Sequence, residues 1–242
     1  MDEFALGSWR ELAPGIYRAV AEPESVNLGL VVGTEAALLV DTGSSPAQGR
    51  AVRESVATVT DRPLVGVVVT HWHYDHAFGL AAFPDLVSVG HESVAARMGS
   101  PEAAAEAARH GVAVEGLSAP SRELVVAAAF DLGGRRVEVA HLGRGHTDGD
   151  LVVVVPDADV VFAGDLIESA GPPSFGPDSV PEEWAGTLDG LVGLMTERTV
   201  AVPGHGDPVD REFVFRQRGE VAARAAGLPD VRPGDRPALP LA

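Results

Sequence analysis

The sequence predicts a layered α/β fold on three observations. Short apolar, β-branched runs recur along the chain, stretches with helical signals separate several of them, and four runs end in His or Asp beside glycine or another ligand-type residue. Such runs read as buried strands. Functional groups of layered α/β proteins gather where strands end and loops open. A chain of 242 residues with 45% hydrophobic content is long and apolar enough to build a sizeable core.

The elements follow in chain order. Residues 15–20, 27–32 and 36–40 read as three short strands, with Gly33-Thr34-Glu35 as the turn between the last two. Ser45-Pro46 opens a helix expected to run to about residue 59. A buried strand at 64–70 and a short one at 87–90 come next. Residues 92–111 are Ala-rich and helical, broken near Gly99-Ser100-Pro101. Residues 122–155 return to strands around a Gly133-Gly134 hairpin turn. Helices are expected over 181–195, where Trp184, Leu188, Leu191 and Leu194 have helical spacing and are expected to enter the core, and over 211–226. The expected organisation is one domain over 1–230 with a Pro-rich tail at 231–242.

The run His71-Trp72-His73-Tyr74-Asp75-His76 follows the strand at 64–70 and places four metal-ligand side chains in six positions. Buried together without a metal or dense hydrogen bonding, they would be costly. Three later runs deliver the same chemistry. One ends in Gly145-His146-Thr147, one in Gly164-Asp165, and one in Gly204-His205. Were these ends to meet at one sheet edge, His71, His73, Asp75, His76, His146, Asp165 and His205 would be too many ligands for one tetrahedral ion and would suit two.

In this order and spacing the motifs resemble those of the metallo-β-lactamase fold superfamily, from about Tyr17 to His205, with Asp41 in Val40-Asp41-Thr42-Gly43 matching an early motif. The resemblance implies an αββα four-layer sandwich, and it implies that the segment 92–120 covers the site, where the residues alone read equally as a surface helix pair. It implies one metal on His71, His73 and His146, a second on Asp75, His76 and His205, and Asp165 bridging them. It also implies two zinc ions sharing a water or hydroxide that attacks an ester-like, lactone, thioester or amide carbonyl, with Asp75 as the catalytic carboxylate. The chain is similar to the Asp-bridged, glyoxalase II-like and lactonase-like branches, since Asp165 stands where many zinc β-lactamases carry Cys. Weak β-lactam hydrolysis is an alternative. So is a mononuclear iron persulfide dioxygenase, because imidazole suits iron as well as zinc.

Around the ligands, Asp41 is a candidate to orient an imidazole, or else a turn residue. Thr147 is a candidate to orient His146. Arg144, Ser169 and Phe175 are candidate substrate contacts, although Arg144 could equally pair with Asp148 or Asp150. Trp72 and Tyr74 are expected to point toward packing or the rim. His110 is expected to face solvent, and His141 is a further candidate to orient His146.

Charge narrows the partners. The net charge is −17, and every one of the 18 basic residues is Arg. Nucleic-acid phosphates would be repelled, so a small-molecule substrate is expected and a nuclease role is not. No apolar stretch approaches the ~20 residues of a bilayer span. The first residues have no basic start and no apolar signal core, so a cytoplasmic location is expected. The absence of Cys excludes disulfides. The oligomeric state is open.

Overall fold

The computed structural model describes residues 4–228, so the expected tail at 231–242 lies outside the described residues. The strands are β1 (Ala5–Leu6), β2 (Arg10–Ala13), β3 (Ile16–Glu22), β4 (Val26–Val32), β5 (Ala37–Val40), β6 (Leu64–Val68), β7 (Val87–His91), β8 (Arg122–Leu124), β9 (Ala127–Asp131), β10 (Arg136–Ala140), β11 (Val152–Val155), β12 (Val160–Glu168) and β13 (Val200–His205). The helices are α1 (Pro46–Val56), α2 (Tyr74–Ala77), α3 (Glu92–Met98), α4 (Pro101–Arg109), α5 (Pro181–Leu194) and α6 (Arg211–Ala225).

Pairing divides the strands into two halves. The first has the order β8-β7-β6-β5-β4-β3, with β1 and β2 on β3; the second has the order β13-β12-β11-β10-β9. One antiparallel pair, Val26 with His205, joins them. In the first half β5 to β8 run parallel. Parallel neighbours need crossovers, and α1, α2 and the α3–α4 pair supply them. In the second half β9 to β12 form antiparallel hairpins, and α5 returns the chain so that β13 lies parallel to β12.

Side-chain alternation turns these halves into four layers. Leu38, Val40 and Val68 point inward to a core shared with Val153, Val155, Phe162 and Val202. Their neighbours Leu39, Val67 and Val69 point outward against α1, α3 and α4 through Val52, Val94 and Ala103. On the other half Val161, Ala163 and Ala201 point outward against Trp184, Leu188 and Leu191 of α5 and Val214 and Val221 of α6, whereas Leu194, expected in the core, is exposed at the last position of α5. Successive residues of a strand face opposite sides, so a strand apolar on both faces needs a layer on each. The αββα sandwich is that arrangement.

Differences from the expected elements have local causes. α1 begins where Ser45 accepts from the Gln48 amide at 3.1 Å, but it ends at Val56. Beyond it, Thr58 turns back onto the Ser55 carbonyl with both its amide and its hydroxyl. β1 and β2 were not expected, because two residues and a charged tetrapeptide carry no readable period. Among the described residues no helix is long and apolar enough to cross a membrane.

Candidate metal centre

The ends of β6, β12 and β13 and the loop after β10 converge on one edge of the sandwich. β6 delivers His71, His73, Asp75 and His76, and α2 folds Asp75 and His76 back beneath the turn. β12 carries Asp165 and β13 ends on His205. The loop residue His146 completes the group. The side chains form two sets. His71, His73, His146 and Asp165 offer ligand atoms within 4.8 Å of one another, and so do Asp75, His76 and His205.

Asp165 lies between the sets. Its Oδ2 is 3.3 Å from His146 Nε2 and 3.8 Å from His71 Nε2. Its Oδ1 is 3.1 Å from His76 Nε2 and 3.6 Å from His205 Nε2. His73 enters the first set through Nδ1, 3.1 Å from His71 Nε2 and 2.9 Å from His146 Nε2. Asp75 Oδ2 enters the second, 3.2 Å from His205 Nε2.

All five imidazoles donate their other nitrogen outward. His71 Nδ1–H reaches Thr70 Oγ1 at 3.1 Å, and that hydroxyl donates to Asp41 Oδ2 at 2.8 Å. His76 Nδ1–H donates to Asp41 Oδ2 at 2.8 Å. His73 Nε2–H donates to Asp178 Oδ2 at 3.1 Å. His146 and His205 donate to the carbonyls of Ser174 and Glu24 at 3.2 and 2.9 Å. Outward donation fixes the tautomer and aims a bare lone pair at the centre. Two inward atoms, His76 Nε2 and Asp165 Oδ1, are buried with no hydrogen-bond partner. Buried polar atoms are rarely left so without a functional reason. The donor set and these orphaned atoms fit metal ions of the imidazole- and carboxylate-binding kind.

The electrostatics agree. Burial, with the neighbouring imidazoles adding to it, lowers the pKa of His71 well below its ordinary value and that of His146 to about 4, which keeps both neutral as ligands must be. Burial opposes charge on His76 and His205 too. There the carboxylates win: Asp165, Asp75 and Asp41 hold His76 well above its ordinary value, and Asp165 and Asp75 push His205 up to about 10. Metal binding would displace those protons. The carboxyl of Asp165 is held well below the usual range by His76, His146 and His71, despite burial.

Asp41 adopts a left-handed φ of 61°, a conformation that costs on the order of 1–3 kcal/mol for a non-glycine residue. Its bonds to the Thr70 amide (2.7 Å), the Thr70 hydroxyl and His76 hold it there. Two glycines allow close approach around the bridging carboxylate. A Cβ on Gly164 would lie 2.8 Å from Thr70 Oγ1, and one on Gly204 would overlap the Asp165 carboxylate. Gly204→Ala is therefore expected to displace Asp165 and lower metal affinity by roughly 10–100-fold, the range for disturbed supporting residues. Metal content per chain by elemental analysis checks this, and an unchanged content would mean that β13 yields instead.

The other sequence-singled residues fall in different places. Thr147 turns its hydroxyl and amide onto Asp150 and orients no ligand side chain. Arg144 pairs with neither Asp148 nor Asp150; it pairs with Glu183 in the open hollow of His91 and His141, away from the metal cavity. The Ser169 hydroxyl is taken up by the carbonyls of His205 and Asp207. Phe175 packs on Trp184 and beneath Arg224. These three side chains are thus committed to structural partners and do not line the cavity at the ligands. His141 bonds to the Asp150 carbonyl and packs on His91, touching no ligand. His110 does not simply face solvent: its ring stacks on Tyr74 with centroids 3.6 Å apart.

Asp178 was not foreseen. It receives both His73 and, at 2.7 Å, the Trp72 indole N–H. It lies 105 residues from His73 in a Gly- and Pro-rich loop with no period to read. The cavity at the ligands, about 640 Å³, is also lined by Glu24, Ser25 and Glu168, which no motif marks.

A family model described as the metallo-beta-lactamase superfamily matches residues 21–205. A metallo-beta-lactamase type 2 from Bacillus sp. (strain 170) is 26% identical over 210 residues, covering 86% of this chain and 76% of that protein. The acyl-coenzyme A thioesterase MBLAC2 of Bos taurus is 27% identical over 253 residues, covering 89% and 87%. In structure, a metallo-beta-lactamase from Pontibacter korlensis superposes with a TM-score of 0.74, covering 90% of this chain and 99% of that one at 22% identity. That last likeness is one of fold.

Proposed function

The chain belongs to the metallo-beta-lactamase superfamily, and on that premise we propose that it is a dinuclear zinc hydrolase of an acyl bond in a small molecule, of the thioester, ester, lactone or amide class. The observation that carries this reading is the position of Asp165. Its two oxygens face two separate ligand sets, within 3.8 Å of four imidazole nitrogens. Relatives that cleave a thioester and a lactam by their names support hydrolysis as the reaction class.

His71, His73 and His146 would hold one ion, Asp75, His76 and His205 the other, and Asp165 both. Zinc so held supplies a water that ionises near neutral pH and polarises a carbonyl oxygen. The chain's own groups prepare the site for this. Asp41, Asp178 and the carbonyls of Glu24 and Ser174 orient the imidazoles. Burial raises the Asp75 carboxyl, yet His76 and His205 hold it below its ordinary value. It is therefore an anion able to accept the proton that the nucleophile loses, and to return one to the leaving group.

The test is metal identity and stoichiometry on protein purified without added metal, followed by a panel of thioesters, lactones, aryl esters and β-lactams. About two zinc ions per chain with turnover of at least one acyl class is the expected result. One iron per chain, with oxygen-dependent turnover of persulfides, would overturn it.

A further inference from the structure

A second hollow opens beside the metal cavity. Its volume is about 590 Å³, within the range of small-molecule pockets. The two hollows share His73, Tyr74, Asp75, Pro177 and Asp178 in their walls, so they adjoin at the ligands. One wall is Trp72 and Tyr74, the residues interleaved with the ligands. The facing wall comes from α4 through Ala105, and Pro177 lies beside them.

Both aromatic rings are held in place. Trp72 is tied by its N–H to Asp178 and lies under the Arg97 guanidinium, 5.6 Å from its ring centre. Tyr74 is stacked on His110. Charges at the mouth are already matched within the protein. Arg97 pairs with Asp148 at 3.0 Å, and Arg109 pairs with Glu106 at 2.7 Å. Glu102 sits in the first turn of α4, where the free amides favour a carboxylate. Fixed aromatic faces between internally paired charges favour an uncharged, apolar guest, since a charged one would displace existing partners. The metal cavity on its far side is lined instead by polar Glu24, Ser25 and Glu168.

We propose that this hollow is a subsite for the apolar alkyl or aryl substituent of a substrate whose carbonyl or carboxylate head lies at the metal ligands. The inference rests on the metal-dependent reading above, and it makes the α3–α4 segment a specificity element. Tyr74 and Ala105 are its selecting residues.

The probes are straight-chain carboxylates from propanoate to octanoate, titrated into metal-replete protein. Binding is read by calorimetry and by tryptophan fluorescence. Affinity is expected to rise about fourfold per added methylene, as burial of each CH₂ predicts. Ala105 is exposed on α4, so Ala105→Trp fills the hollow without entering the core. In that variant the rise is expected to fall below about twofold per methylene. Metal content and melting temperature check that it is folded, and Ala105→Leu, which should weaken the rise to a lesser degree, replaces it if it is not. A flat series in the parent protein, or a rise that persists unchanged in the filled variant, overturns the subsite. The two readings fail separately: turnover with a flat series removes only the subsite. A steep series that the variant flattens, with no acyl turnover at all, upholds the subsite and removes only the hydrolase.

Discussion

Asp165→Ala is expected to abolish acyl hydrolysis and to lower bound metal from about two ions per chain to one or fewer. Among the described residues, Asp165 is the one side chain with an oxygen toward each ligand set. Loss of a residue that merely orients a ligand typically reduces metal affinity or activity by about 10–100-fold. Loss of the bridging ligand should exceed that range, leaving activity at background. The fold should persist, because the layers are held by three large apolar clusters that do not include Asp165. Elemental analysis, kinetics and circular dichroism on one preparation test all three statements. Full activity in a folded variant would sink the bridging role.

Removing metal from a verified holo sample is expected to lower the melting temperature substantially. The centre packs three carboxylates, from Asp41, Asp75 and Asp165, around buried imidazoles. It leaves His76 Nε2 and Asp165 Oδ1 without partners. A ligand present at about 1,000 times its Kd stabilises by about 4 kcal/mol. For a chain of this size each kcal/mol moves Tm by about 2–4 °C. Chelation should therefore lower Tm by about 10 °C or more, and readdition of zinc should restore it. Thermal unfolding before chelation, after it and after readdition provides the measurement. An unchanged Tm would mean that bound metal contributes nothing to the stability of the fold.

Much of the candidate site was legible in the chain, for a local reason. His71, His73, Asp75 and His76 are adjacent in sequence, and the later ligands each follow a short apolar strand. Those seven side chains do converge, because strands that end at one edge of a sandwich bring their next residues together. Asp41 was legible for the same reason: it follows β5, which runs parallel to β6 and, past a register shift at Ala37–Leu38, sets Val40 beside Val68. The Ala-rich helices and the break between them were likewise readable from Ser100-Pro101, where the serine hydroxyl accepts from the Ala103 amide at 3.2 Å.

Contacts made by loops were not legible. Arg144 is two residues from His146, yet its guanidinium turns to Glu183 on α5. Ser169 is four residues from Asp165, and two backbone carbonyls occupy it. Asp178, 105 residues from His73 in sequence, reaches it. Sequence proximity carries no information about side-chain direction once the backbone leaves a regular period.

The sequence alone determined the apolar strands, the helices between them and the seven His and Asp side chains that gather at the strand ends, because residue type and local spacing decide these. Only the tertiary structure decided which oxygen orients each imidazole and which residues wall the cavity. It alone placed α3 and α4 beside the ligands. Those depend on where distant loops pack over the sheet edge, and that is set by the collective fit of two half-sheets and their helices.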